Sequence, residues 1–225
     1  MIVVPLLALV PTVIIAHTVL GPIGWTIGQW VSEVVYAGLT GDFRWLFGLF
    51  FGTLYSPLVI TGLHHMSNAI DLQLIADFGG TNLWPMIALS NIAQGSAVLA
   101  IIFLHRGNEK EEQVSIPAAI SCYLGVTEPA MFGINIKYIY PFVAAMIGSG
   151  IAGLVATTFN VMANSIGVGG IPGFLSIQTD SMAMFIVCMA IAIVVPFLLT
   201  VLFEKKQLFA PKGEVEDAPV IQTQK

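Results

Sequence analysis

VSIPAAISCYLGVTEPAMFGINIK, residues 114–137, is the stretch whose reading decides the fold. It is apolar enough for a membrane interior, yet Gly125 and Pro129 interrupt it with Glu128 in between. A proline removes a backbone N–H and turns the residue before it away from helix. An acid at membrane depth costs about 2.5 kcal/mol or more on insertion scales. Broken backbone at that depth survives only where it is buried in protein or lines a cavity. The stretch therefore reads as a re-entrant hairpin, with Glu128 at its break as a ligand acceptor or general base. The plainer alternative is a carboxylate held by neighbouring backbone for structure alone.

The rest of the chain supplies the membrane context. Of its 225 residues, 56% are hydrophobic and only 9% are charged, against roughly a quarter charged in a soluble domain. Such a chain cannot cover a water-facing surface. Disorder is excluded by the apolar content, and no basic footprint for nucleic acid is present. Residues 1–32, 45–70, 78–105, 138–179 and 181–203 contain no Asp, Glu, Lys or Arg. About 20 apolar residues cross a bilayer, which places spans at 1–18, 43–60, 84–105, 138–158 and 181–203. Met1 opens directly on a membrane segment, as an incomplete chain would. In residues 21–41, Ile23, Ile27, Trp30 and Val34 recur at helical spacing, as expected of an amphipathic helix at the membrane interface. The glycines of GSGIAG, 148–153, allow close helix contact. Trp25, Trp30, Trp45 and Trp84 fall near the expected interfaces.

The basic residues set an orientation. Arg44, the Arg106–Lys110 loop, Lys137 and Lys205–Lys206 are expected on the cytoplasmic side, and 159–180, without Lys or Arg, outside. Residues 61–82, TGLHHMSNAIDLQLIADFGGTN, form the second stretch that is too apolar for a loop and too polar for a span. It reads as a hairpin entering from the face opposite to 114–137, and opposed broken segments meeting near the midplane are a common way to build a transport site. His64 and His65 follow the Gly62 break there; a histidine can donate to a sugar hydroxyl or exchange protons near neutral pH. Asn68, Asp71, Gln73 and Asp77 add polarity, with Asp71 and Asp77 read as facing water. His17 reads as a packing group and His105 as a solvated rim residue. Cys122 and Cys188 lie in apolar runs and read as small buried hydrophobes. No metal-ligand spacing is present, and no cofactor is expected.

GLHH at 62–65 followed by GVTEPAMFGIN at 125–135 resembles the IIC membrane component of bacterial phosphotransferase-system sugar permeases, glucose–sucrose superfamily. Residues 62–100 resemble the trehalose-specific branch more than the sucrose one, and the likeness extends over about 1–203. The resemblance implies an all-α polytopic membrane protein: about five spans, two re-entrant hairpins near 61–82 and 114–137, and an interfacial helix. Residues 1–20 would be the last span of an incomplete N-terminal half, 42–203 the transport domain, and 204–225 a disordered cytoplasmic tail or linker. It implies uptake of trehalose or a related disaccharide coupled to phosphorylation by a phosphocysteine-bearing IIB partner, with the hairpin histidine at His64, or His64 with His65, and the hairpin glutamate at Glu128. Glu128 is the expected catalytic residue, and His64, His65, Thr127, Asn68 and Glu128 are the expected sugar-binding residues. Further implied are a bacterial plasma-membrane location, a IIA domain beyond the linker in some relatives, and a homodimer formed through the missing N-terminal half. The residues themselves leave open a secondary transporter or channel without group transfer, and an inert fragment associating with a full-length permease.

Overall fold

The computed structural model describes residue 9 and residues 11–209, with backbone alone at 24, 25, 27, 28, 31 and 32. Most of the expected first span and most of the tail lie outside the described residues. Among those described, the chain is helical and contains no strand, only isolated bridges joining Thr81 to Ala163 and Ala163 to Ile177. Helical backbone runs from Pro11 through a π turn at Ala16–Leu20 into α1 (Gly21–Thr40). No break therefore separates the expected first span from the expected surface helix; Pro22 sits in the first turn of α1, where its missing N–H costs little. Ile23, Trp30 and Val34 face outward, while Leu39 is buried and Tyr36 stacks on Phe78.

The remaining helices are α2 (Arg44–Ile60), α3 (His65–Phe78), α4 (Leu83–Leu104), α5 (Glu109–Tyr123), the short α6 (Glu128–Ala130) and α7 (Ile136–Tyr138) on either side of a π turn at Met131–Asn135, then α8 (Tyr140–Thr158) and α9 (Met182–Lys205). Among the described residues, three helical segments are long and apolar enough to cross a membrane: Leu83–Leu104, Tyr140–Thr158 and Thr179–Lys205. A fourth would be Glu33–Thr40 with Arg44–Ile60, a pair bent by 118°. α4 is the axis of the molecule: almost every residue from Leu83 to Ile101 is buried, with α5, α8 and α9 around it. Trp84 is among these buried residues, so it is a core side chain rather than an interface anchor.

Chain direction is set by specific contacts. Asn82 donates to the Val161 carbonyl at one end of α4, and His105 meets Tyr138 at the other, so α4 and α8 run antiparallel. α2 also runs antiparallel to α8. Gly48 lies on Gly153 and Thr157, Gly52 on Ser149 and Gly150, and Thr53 on Gly150. A Cβ on Gly52 would stand 2.5 Å from the Ser149 carbonyl oxygen, so these backbones touch as the 148–153 glycines lead one to expect.

α2 and α4 therefore point the same way, and α3 carries the chain back between them. This corrects two expectations. The 43–60 helix is the entering arm of the first hairpin, whose turn is at 61–64 and whose return is α3; the hairpin is larger than 61–82. Arg44 stands at the Thr158 end, away from Arg106, Lys110, Lys137, Lys205 and Lys206. A single cation in a short loop is too weak a signal to orient a helix against such packing. The second hairpin, α5 out to α7, starts and finishes at the His105 end, where Tyr138 donates to Glu111 across 2.5 Å.

Candidate functional site: two hairpin tips beside the middle of α4

The first tip is built by a left-handed turn. Gly62 has φ +76°, and the His64 amide reaches back to the Leu58 carbonyl, which closes the end of α2. His64 is then placed at the start of α3, with its carbonyl accepting from Ser67 Oγ. Its ring lies edge-on to Tyr55, 6.4 Å between centroids, and 4.0 Å from the His65 ring. Nδ1 of His64 is buried with no partner among the described residues.

The second tip is built around Gly125, φ +100°. Its amide donates to the Cys122 carbonyl and the Val126 amide to the Ser121 carbonyl. Asn91 of α4 donates to the Gly125 carbonyl, and Ser121 Oγ to that of Val126. The break predicted from Gly125 and Pro129 thus exists, and the amides and carbonyls of Gly125 and Val126 are all paired at it. The 159–181 connection reaches in to the same place: a Cβ on Gly125 would stand 2.7 Å from the Gly169 amide nitrogen. Thr127 is buried, and Glu128 opens the short α6, where the first-turn amides favour a carboxylate.

The two tips meet. His64 Nε2 and Glu128 Oε1 are 3.9 Å apart, with the His64 side chain 15% exposed and that of Glu128 45% exposed. A hydroxyl beside both could accept from the imidazole N–H and donate to the carboxylate, while the carboxylate could also serve as a base. Of the residues singled out in the sequence, His64, His65, Thr127 and Glu128 gather here. Asn68 is exposed on α3, a turn away, and makes no hydrogen bond among the described residues that would aim it at the gap.

Other residues behave differently from expectation. Asp71 does not face water: it is fully buried and accepts from Thr81 Oγ1 at 2.6 Å, while Thr81 also accepts from the Leu83 amide. Together they finish the first turn of α4 and anchor the return of hairpin one. Asp77 is exposed, as expected, and accepts from Gln73. His105 is not a bare rim residue; Nδ1 lies 2.8 Å from Glu111 and Nε2 3.7 Å from Glu204, tying α4 to α5 and α9. Sequence reading passed over Tyr55, Ser56, Asn91, Gln94 and Asn135, all at depth around the tips. Their signal was available as uncharged polar groups in apolar stretches, which a search for charge does not register. Cys122 and Cys188 are free and buried, as small hydrophobes would be.

Comparison with known proteins places the chain in a family. Residues 1–149 match the family model "Phosphotransferase system, EIIC". Over 200 residues the chain is 54% identical to the trehalose-specific EIIBC component of the PTS system of Escherichia coli (strain K12), covering 89% of this chain and 42% of that protein. It is 49% identical over 180 residues to the trehalose-specific EIIBC component of Bacillus subtilis (strain 168), covering 80% and 38% respectively. A sucrose-specific EIIBC component from Pasteurella multocida (strain Pm70) is 45% identical over 212 residues, covering 90% and 43%. The chain thus spans about two fifths of the length of these curated relatives. No solved structure matches it. With a matching family model over more than half its length, a GVTEPAMFGIN break and a GLHH turn folded tip to tip, the chain is a member of the phosphotransferase-system EIIC family.

Proposed function

We propose that the chain is the sugar-binding and translocating part of a phosphoenolpyruvate-dependent sugar permease, coupling uptake of trehalose or a related disaccharide to its phosphorylation by a partner IIB domain. The observation that carries this reading is the meeting of the two hairpin tips, His64 Nε2 against Glu128 Oε1 at 3.9 Å. The trehalose preference rests on the printed specificity of the relatives at 54% and 49% identity, with sucrose-specific relatives close behind. In this reading His64 donates to a sugar hydroxyl and Glu128 accepts from one, with His65, Thr127 and Asn68 completing the binding surface. For transfer, a sugar hydroxyl oxygen attacks the phosphorus of the IIB phosphocysteine. The O–P bond forms, the S–P bond breaks, the cysteine leaves as thiolate, and Glu128 takes the hydroxyl proton. Cys122 and Cys188 are free and buried, and in this reading the phosphoryl group comes from the partner. The end bearing Arg106, Lys110, Lys137, Lys205 and Lys206, with the C-terminus, is assigned to the cytoplasm of a bacterial plasma membrane.

Glu128→Gln tests the assignment, because it keeps the size of the side chain and removes its basicity. If Glu128 mainly binds, trehalose affinity falls by about 1.5–3 kcal/mol, the worth of a charge-assisted hydrogen bond. If it mainly takes the proton, binding stays near normal and phosphorylation by IIB falls about 10²–10⁴-fold. Retention of both at the wild-type level would remove Glu128 from the site. Free trehalose accumulating without IIB would instead favour transport without group transfer.

A further inference from the structure

Where the two hairpins touch α4, a chain of uncharged polar side chains is sealed from the surface. Gln94, near the middle of α4, is fully buried, as are Ser56 of α2 and Asn135 at the end of the π turn, and Ser90 is nearly so. The Gln94 amide is used at both ends. Its Nε2 donates to Ser56 Oγ at 2.7 Å, and Ser56 Oγ lies 3.3 Å from Ser90 Oγ. Its Oε1 accepts from Asn135 Nδ2, which also reaches the Gln94 carbonyl at 3.3 Å. Ser56 belongs to the entering arm of hairpin one, about two turns before His64; Asn135 belongs to hairpin two, about two turns after Glu128. π turns of this kind recur at functional sites, where the extra residue re-aims the side chains after it.

We propose that Gln94 is a positioning residue: its side-chain amide ties the two hairpins to each other through α4 and thereby sets the separation of His64 and Glu128. This rests on the reading of those two residues as the sugar site. The tie requires a group that presents a donor to Ser56 and an acceptor to Asn135 at once. A primary amide does so, and a hydrocarbon of the same length does neither. Two apolar side chains in place of the pair would pack the helices equally well, since hydrogen bonds between membrane helices add little stability. What they would not supply is a fixed register between two separate tips. Small errors in such a register are costly to a reacting pair.

The test uses the full chain in native membranes supplied with a phosphorylated trehalose-type IIB domain. KM and kcat for trehalose phosphorylation are measured beside the distance between spin labels on cysteines at Leu63 and Val126, in a background lacking Cys122 and Cys188. Gln94→Met should raise the trehalose KM by about tenfold or more and broaden the distance distribution. Gln94→Glu should stay closer to wild type than Gln94→Met in both, because a neutral carboxyl donates to Ser56 from one oxygen and accepts from Asn135 with the other. Ser56→Ala removes one link and should broaden the distances less, and it decides the matter if Gln94→Met fails to reach the membrane. Wild-type KM and wild-type distances in Gln94→Met, or a loss of thermal stability with distances unchanged, would overturn the proposal. If the unsubstituted chain phosphorylates no trehalose, the sugar-site reading fails, while the distances still report whether Gln94 holds the tips.

Discussion

Gly62 and Gly125 both adopt left-handed backbone, φ +76° and +100°, but only one of them has room beside it. Nothing lies within 4 Å of a Cβ on Gly62, whereas one on Gly125 would press on three backbone atoms of Gly169. An alanine at either position carries the conformational penalty, about 1 kcal/mol or more where φ is positive. At Gly125 it must also push the 159–181 connection away from the tip that carries Glu128. Gly125→Ala is therefore expected to lower the thermal unfolding midpoint in detergent more than Gly62→Ala and, in the function proposed above, to weaken sugar binding more. Equal shifts from the two would mean that the Gly125–Gly169 approach is not held in the protein. The left-handed need at Gly125 could be suspected from the sequence, where glycine precedes an apolar break. The neighbour that forbids a side chain could not, because Gly169 is remote in sequence and nothing local points to it.

At the scale of elements, the α2–α8 contact decides whether hairpin one is in place. Gly48, Gly52, Gly150 and Gly153 let the two helices touch along their backbones, and Ser149 Oγ donates to the Gly52 carbonyl. Gly52→Leu would force a side chain into the Ser149 backbone, and overpacking of this kind costs typically about 1–3 kcal/mol. The expected result is loss of a monodisperse peak on detergent extraction, or at least a lower unfolding midpoint. Gly133→Ala, whose Cβ would meet only Val114 Cγ1 at 3.4 Å, should behave as wild type. Similar behaviour of the two would argue against the α2–α8 packing. The other end of the bundle is held differently, by His105 between Glu111 and Glu204 with Tyr138 on Glu111. His105 looked like a solvated rim residue because the turn that folds Glu111 back onto it, and the approach of Glu204 from α9, are not visible in the sequence.

For the whole molecule, two hairpins enter from opposite ends and leave at the ends they entered. This arrangement separates Arg44 from the other basic residues and predicts a specific labelling pattern. In a chain lacking Cys122 and Cys188, cysteines at Phe43 and Ser165 should react with an impermeant reagent added outside sealed cells. Cysteines at Lys110 and Lys206 should react only after the membrane is opened. If the positions at Phe43 and Lys110 labelled from the same side, α2 would have to run the other way and the tip-to-tip meeting would be lost.

The sequence by itself determined the membrane-type composition, the helices at 84–105, 138–158 and 181–203, the break around Glu128, and the Gly62 break before His64 and His65. Each comes from a local cost: exposed hydrocarbon, an acid at depth, a missing N–H, a glycine where the chain turns. The direction of α2, the burial of Asp71 on α4, the chain through Gln94 and the distance between His64 and Glu128 were decided only by the tertiary structure. These are relations between segments far apart in the chain. They are set by glycine-paved contacts and by buried amides pairing across helices, and a single sequence does not say which distant segment such uncharged groups pair with.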